Sequence, residues 1–125
     1  MIDYTTHNWL VFKHAQKWLS EWALHIRGTV YDLGCGERPY EDFILQYADT
    51  YVGVDWSNTL HDLKADIVAD LNQPLAMIKD QSDDTVFSVS VMEHLREPQN
   101  FLNESFRVLK QGGNAFAGPL SVACA

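Results

Sequence analysis

The chain has little that ordinary metal, redox or nucleophilic chemistry would need. Its only cysteines are Cys35 and Cys124, and no C-x-x-C pair occurs, so a zinc or redox motif is not supported. His7, His14, His25 and His61 form no metal spacing with a carboxylate or a cysteine, and H-E-x-x-H is missing. No metal site is expected. There is also no G-x-S-x-G elbow and no Walker loop. No apolar run approaches the ~18 residues of a membrane span. The start, Met1-Ile2-Asp3-Tyr4-Thr5-Thr6, lacks the basic residues and apolar block of a secretory signal. The expectation is therefore a cytoplasmic protein without membrane association. Basic residues are scarce: 9 Lys and Arg stand against 17 Asp and Glu, for a formal net charge of −8. That field repels nucleic acid at long range and argues against a nucleic-acid partner. Lys13, Lys17 and Arg27 could still form a local basic patch.

What remains is one domain's worth of chain. The 125 residues suffice for a single core, and no repeats, low-complexity tracts or linkers interrupt them. Residues 8–26 carry Trp9, Phe12, Ala15, Trp18, Leu19, Trp22, Ala23 and Ile26 at steps of three and four, the period of one helix face. Asn8 is placed to cap that helix and Gly28 to stop it. Thr29–Leu33, Thr50–Val54, Ile67–Ala69 and Thr85–Ser90 read as short buried strands. Pro39 suits the first turn of a helix whose apolar face is Phe43, Ile44 and Tyr47. Residues 79–84 read as a polar turn, and residues 92–96 as a short helix or turn. Pro98 opens a further helix with a buried stripe of Phe101, Leu102, Ser105, Phe106 and Leu109, stopped by Gln111-Gly112-Gly113. Strand and helix alternate, so the fold class expected is α/β, a Rossmann-like, doubly wound, mostly parallel sheet with flanking helices.

The richest stretch is Tyr31-Asp32-Leu33-Gly34-Cys35-Gly36, followed by Val52-Gly53-Val54-Asp55. Asp55 lies 19 residues beyond Gly36. Nucleotide-binding α/β folds place an acid about 20 residues past the glycine loop, to hold ribose hydroxyls. A dinucleotide fingerprint would put its third glycine where Pro39 stands. Proline has no N–H to give a phosphate. The spacing thus fits an adenosine-containing ligand without phosphate, and S-adenosylmethionine is one.

Five segments in order now resemble a class I S-adenosylmethionine-dependent methyltransferase. They are Val30–Gly36, Tyr51–Asp55, Ala69-Asp70-Leu71 with Pro74-Leu75, Asp84–Leu95, and Glu104–Gly113. The usual G-x-G-x-G is broken, because Arg38 holds its third place. The resemblance implies S-adenosyl-L-methionine as cofactor and a small-molecule methyl acceptor at O, N or C.

It also implies roles for particular residues. Asp55 would accept from both ribose hydroxyls. Gly34, Cys35 and Gly36 would form the loop that approaches the methionine part, with the Cys35 side chain packing rather than reacting. Asp32 would orient the ammonium, often through water. Asp70, with the Leu71 N–H, would read adenine, and Ser90 would touch the methionine tail. Trp56 could stack on adenine or simply close the core edge. His94, with Glu93, is the candidate general base; alternatively the pair opens a helix and braces a loop.

The expected domain division is 1–27 as a helical segment, 28–113 as the cofactor-binding core and 114–125 as an atypical tail. A fifth strand should follow Gly113, but Asn114-Ala115-Phe116-Ala117-Gly118-Pro119 is poor in β-branched residues and interrupted by glycine and proline. The expectation is a fold incomplete at its C-terminus, or a reading frame lost after about Gly113. Either leaves an exposed sheet edge inviting self-association. Two other functions stay open: a non-catalytic cofactor-binding fragment, and an NAD(P)-dependent oxidoreductase.

Overall fold

Among the described residues, short apolar runs underlie four strands, β1 (Thr29–Leu33), β2 (Thr50–Asp55), β3 (Ile67–Val68) and β4 (Asp83–Val89), and a fifth, β5 (Leu109–Gly118), follows. The computed structural model describes residues 20–21, 23–56, 65–89 and 91–118. The helix expected over 8–26 lies mostly outside these residues. Within them Ser20 and Glu21 are helical, and Ala23–His25 form a 3-10 turn.

The strands lie in the order β3-β2-β1-β4-β5, and every pairing is parallel. From β1 the chain steps outward through β2 to β3, then returns to place β4 on the other side of β1. The strand order therefore reverses between β1 and β4, the switch point where such sheets open a crevice at their carboxyl ends. The expected doubly wound parallel sheet is present.

Alternation along the strands fills two cores. Val30, Tyr51 and Phe87 face one side with Ile44 of α1 (Glu41–Ile44). Leu33, Val54 and Val86 face the other with Phe101 and Val108 of α2 (Pro98–Val108). Successive side chains of a strand point to opposite faces, so one apolar run supplies both cores.

Several local expectations are corrected. Residues 79–84 are not all turn: β4 starts at Asp83, where it pairs with Leu109. The backbone ladder overrides the polar composition. Phe106 is 66% exposed. The buried stripe of α2 is Phe101, Glu104, Ser105 and Val108, at steps of three and four. Glu104 tolerates burial because its Oε1 accepts from Leu75 N at 2.6 Å and its Oε2 from Arg107 Nε at 2.5 Å.

Nor do the glycines stop α2. It ends at Val108 and passes directly into β5. Pairing shifts from Asp83–Leu109 to Thr85–Asn114, so Gly112 at φ +82° sits in an irregularity that absorbs extra residues. Beyond it, β5 continues to Gly118 beside Val89. A fifth strand forms despite its composition, because β4 offers a long buried edge with which its backbone can pair. The sheet therefore crosses the boundary expected after residue 113.

Candidate functional site

The carboxyl ends of the strands open into a cleft of about 510 Å³. Gly34 after β1, Asp55 and Trp56 at the end of β2, Ala69 to Asn72 after β3, and Val91 with His94 to Arg96 after β4 all line it. Of the residues singled out from the sequence, the cleft brings together Gly34, Asp55, Trp56, Asp70, Leu71 and His94. Asp32, Cys35 and Gly36 are not among its lining. Ser90 and the side chain of Glu93 lie outside the described residues.

The glycine loop is built by close approach. Gly34 has φ +86°, and a Cβ there would stand 2.3 Å from Val91 Cγ2. Only glycine fits both demands. The loop's donors are already committed. Gly34 N–H and Cys35 N–H both donate to Val54 O, at 2.7 and 3.1 Å, and Arg38 N–H donates to Cys35 O at 2.8 Å. Gly36 N–H donates to Asp55 Oδ2 at 2.8 Å. A phosphate nest needs such N–H groups turned toward the ligand. Here they hold the chain to itself.

Asp55 accepts twice from the backbone, from Gly36 on Oδ2 and from Trp56 on Oδ1 at 2.9 Å. These bonds fix its carboxylate at the cleft wall while each oxygen retains a second lone pair. Trp56 is 49% exposed beside it. At the neighbouring strand end, Asp70 Oδ1 accepts from Asn72 N at 2.8 Å, which closes a turn and sets the carboxylate's direction.

Behind the loop stands a second layer. Arg38 adopts φ +62°, the left-handed conformation a glycine would take there more easily. Its side chain is held at 2.9 Å from Asp66 Oδ2, at 2.6 Å from Glu41 Oε2, and 4.8 Å from the centroid of the Tyr51 ring. These contacts offset the backbone cost of the lost glycine. Asp66 also accepts from Gly53 N at 2.9 Å. Burial pushes its carboxyl up, but the Gly53 N–H and Arg38 outweigh that and hold it below its usual value.

Tyr51 donates its hydroxyl to Asp32. Asp32 is thus enclosed behind the glycine loop rather than presented to the cleft. Burial raises its pKa to about 7, against the lowering effect of the Tyr51 bond. Cys35 is buried too, and its thiol is pushed up to about 12 by burial and then by Asp32 and Asp55. A Cβ on Gly53 would come within 2.8 Å of its Sγ, so Cys35 is packed against that strand. A thiol raised this far is a packing group.

His94 lies in the 3-10 turn Met92–His94 after β4, and its backbone N–H donates to Val91 O at 2.9 Å. It is exposed on the cleft side. Sequence reasoning missed Asn72, Val91, Leu95 and Arg96. Asn72 had a local signal, the Asp-x-Asn turn pattern in Asp70-Leu71-Asn72. The partners of its side chain are 24 and 25 residues away, which no local pattern discloses.

Comparison with known proteins bears on this geometry. A family model described as a methyltransferase domain matches residues 31–117. The match extends past Gly113. A probable S-adenosylmethionine-dependent methyltransferase of Mycolicibacterium smegmatis is 33% identical over 94 residues, 67% of this chain and 35% of that protein. A ubiquinone biosynthesis O-methyltransferase of Pseudomonas fluorescens is 26% identical over 109 residues, 79% of this chain and 47% of that protein. Among solved structures, a SAM-dependent methyltransferase from Aquifex aeolicus superposes with a TM-score of 0.61 at 21% identity, over 87% of this chain and 63% of that one. That likeness is one of fold. The chain spans about half the length, or less, of these curated relatives.

Proposed function

The chain belongs to the class I S-adenosylmethionine-dependent methyltransferase family, and from that premise we propose that it binds S-adenosylmethionine across the carboxyl ends of β1, β2 and β3. The whole protein would methylate a small-molecule acceptor. One observation carries the reading: Gly34, Asp55 and Asp70, from three successive strand ends, meet in one cleft of about 510 Å³. That volume lies in the range of about 300–1,000 Å³ typical of small-molecule sites.

The residues fit such a ligand. Asp55, fixed by two backbone N–H groups, would accept from the ribose hydroxyls with its remaining lone pairs. Gly34, packed against Val91 at the cleft, would present its backbone to the methionine part. Asp70 and the Leu71 N–H would hold the adenine edge, with Trp56 over the ring. The cofactor supplies a methyl group on a cationic sulfur, already activated for transfer. The protein's part is then alignment and exclusion of water. His94 at the rim would take a proton where the acceptor carries one, with Glu93 beside it. Asp32 would act from behind the loop by holding Tyr51 under Arg38. Ser90, which follows β4 in sequence, would touch the methionine tail.

A nicotinamide dinucleotide fits less well, because the N–H groups of Gly34, Cys35, Gly36 and Arg38 are spent within the chain. Calorimetry of this chain with S-adenosylhomocysteine and, separately, NAD tests the choice. Binding of the first alone is expected; binding of NAD alone would reject the proposal. Binding without turnover of any acceptor would favour a cofactor-binding unit. The outer edge of β5, next to no other strand among the described residues, is proposed to pair with a second copy. A concentration-independent monomer in sedimentation would refute that pairing. A cytoplasmic location is part of the same proposal; no helix among the described residues is long and apolar enough to cross a membrane.

A further inference from the structure

We infer that Asn72 is a positioning residue that latches the loop after β3 to the loop after β4, so that a ligand held at Asp70 and Leu71 also sets the segment bearing His94 and Arg96. The inference rests on the cofactor site proposed above and adds a coupling between its two sides.

The geometry is specific. Asn72 N–H donates to Asp70 Oδ1 at 2.8 Å. The Asn72 side-chain oxygen accepts from Arg96 N at 2.7 Å and from Glu97 N at 3.0 Å. One planar amide oxygen has two lone pairs, and here both are used. Asp70, Asn72, His94 and Arg96 all line the same cleft. The segment they share needs an outside anchor. The 3-10 turn ends at His94, Leu95 is extended, and α2 starts at Pro98 with no side-chain cap from Glu97. Arg96 and Glu97 therefore lie between two elements, and their N–H groups donate to the Asn72 side chain.

A coupling follows. Any ligand that fixes Asp70 fixes the Asn72 turn, and with it the two N–H groups across the cleft. By reciprocity, loosening that loop weakens the ligand's hold. The acceptor-side loop would then be ordered best when the cofactor side is filled.

Amide exchange of Arg96 and Glu97, followed by NMR in this chain with and without S-adenosylhomocysteine, is the test. In the unaltered chain the ligand is expected to slow both amides about tenfold or more. In Asn72→Ala both exchange about tenfold faster without ligand, the effect of one net hydrogen bond each. The ligand no longer slows them, and binding weakens by no more than about tenfold. Asn72→Asp, which keeps an acceptor oxygen in place, restores slow exchange, whereas Asn72→Leu, of similar size but without an acceptor, does not; a merely space-filling role would be met by both. Asn72→Gln, with the same group one methylene farther, serves if the alanine variant does not fold, and should lose the latch likewise. Ligand-linked slowing that survives in Asn72→Ala or Asn72→Gln overturns the inference. So does a ligand that binds the unaltered chain without slowing these amides, which leaves the cofactor site standing. No binding at all overturns both. Equal ligand-free exchange in the unaltered and alanine chains overturns the latch on its own.

Discussion

The two ends of the parallel sheet treat the same side chain in opposite ways. At the carboxyl end, Asp55 is partly exposed at a cleft, and both its oxygens accept backbone N–H groups. At the amino end, Asp83 is fully enclosed at the start of β4, and neither of its oxygens has a hydrogen-bond partner among the described residues. Burial, then the neighbouring Asp84, pushes its pKa to about 8, although Lys110 pulls it back. Asp84, one residue on, accepts from Thr29 N at 2.9 Å, and that bond first holds its carboxyl below the usual value. The difference teaches that residue type does not make a binding acid. Backbone donors and an open approach do, and a parallel sheet gathers loops with both at its carboxyl end.

Crowding the cleft end should give the largest effect. Gly34→Val adds a branched side chain at φ +86° toward Val91, and is expected to cost about 3 kcal/mol or more of stability from strain and overpacking together. A denaturant midpoint unchanged from the parent would show that the loop relaxes freely. Next, removing the cleft acid should separate binding from folding. Asp55→Ala is expected to weaken S-adenosylhomocysteine about 100-fold, or about 2.7 kcal/mol, the scale of one or two bonds to a charged acceptor. Unchanged affinity in calorimetry would remove the ribose role.

The amino end sharpens the contrast through pH. A carboxyl whose folded pKa is raised stabilises the fold fully below its unfolded value, near 3.8 for Asp83. That contribution is lost as pH rises through the folded value of about 8. Asp32, raised to about 7, acts in the same direction. The melting temperature of the unaltered chain should therefore fall between pH 5 and pH 9. Asp83→Asn should flatten the fall by roughly 5 °C and leave the remainder to Asp32. Parallel curves for the two chains would mean that Asp83 finds a partner in solution.

Much of the fold was legible because it is periodic and local. Short β-branched and apolar runs predicted β1, β2 and most of β4 within a residue or two, and Pro98 marked the start of α2. The glycine pair and the acid beyond Val54 pointed to the crevice for the same reason: strand ends and tight turns have their own residue chemistry. The misreadings have a common cause. Asp83 looked like turn, Gly112-Gly113 like a helix stop and Asn114–Gly118 like no strand, yet all three lie along one ladder between β4 and β5. Pairing with a distant strand outweighed local preference there. Phe106 was misplaced by a shift of one position on the helix, because Glu104 was not expected to be buried. Its place inside depends on Arg107 and on the Leu75 N–H.

By itself, then, the order of residues determined the strand–helix alternation, the glycine loop and the acid at the end of β2, since each follows from the conformations that neighbouring residues permit. Only the tertiary structure decided which acids face the cleft, that Asp32 is closed off by Tyr51 and Arg38, and that Asn72 ties two loops together. Those outcomes depend on groups brought close by the fold from far along the chain, where burial and hydrogen bonding, rather than sequence neighbourhood, set what a side chain can do.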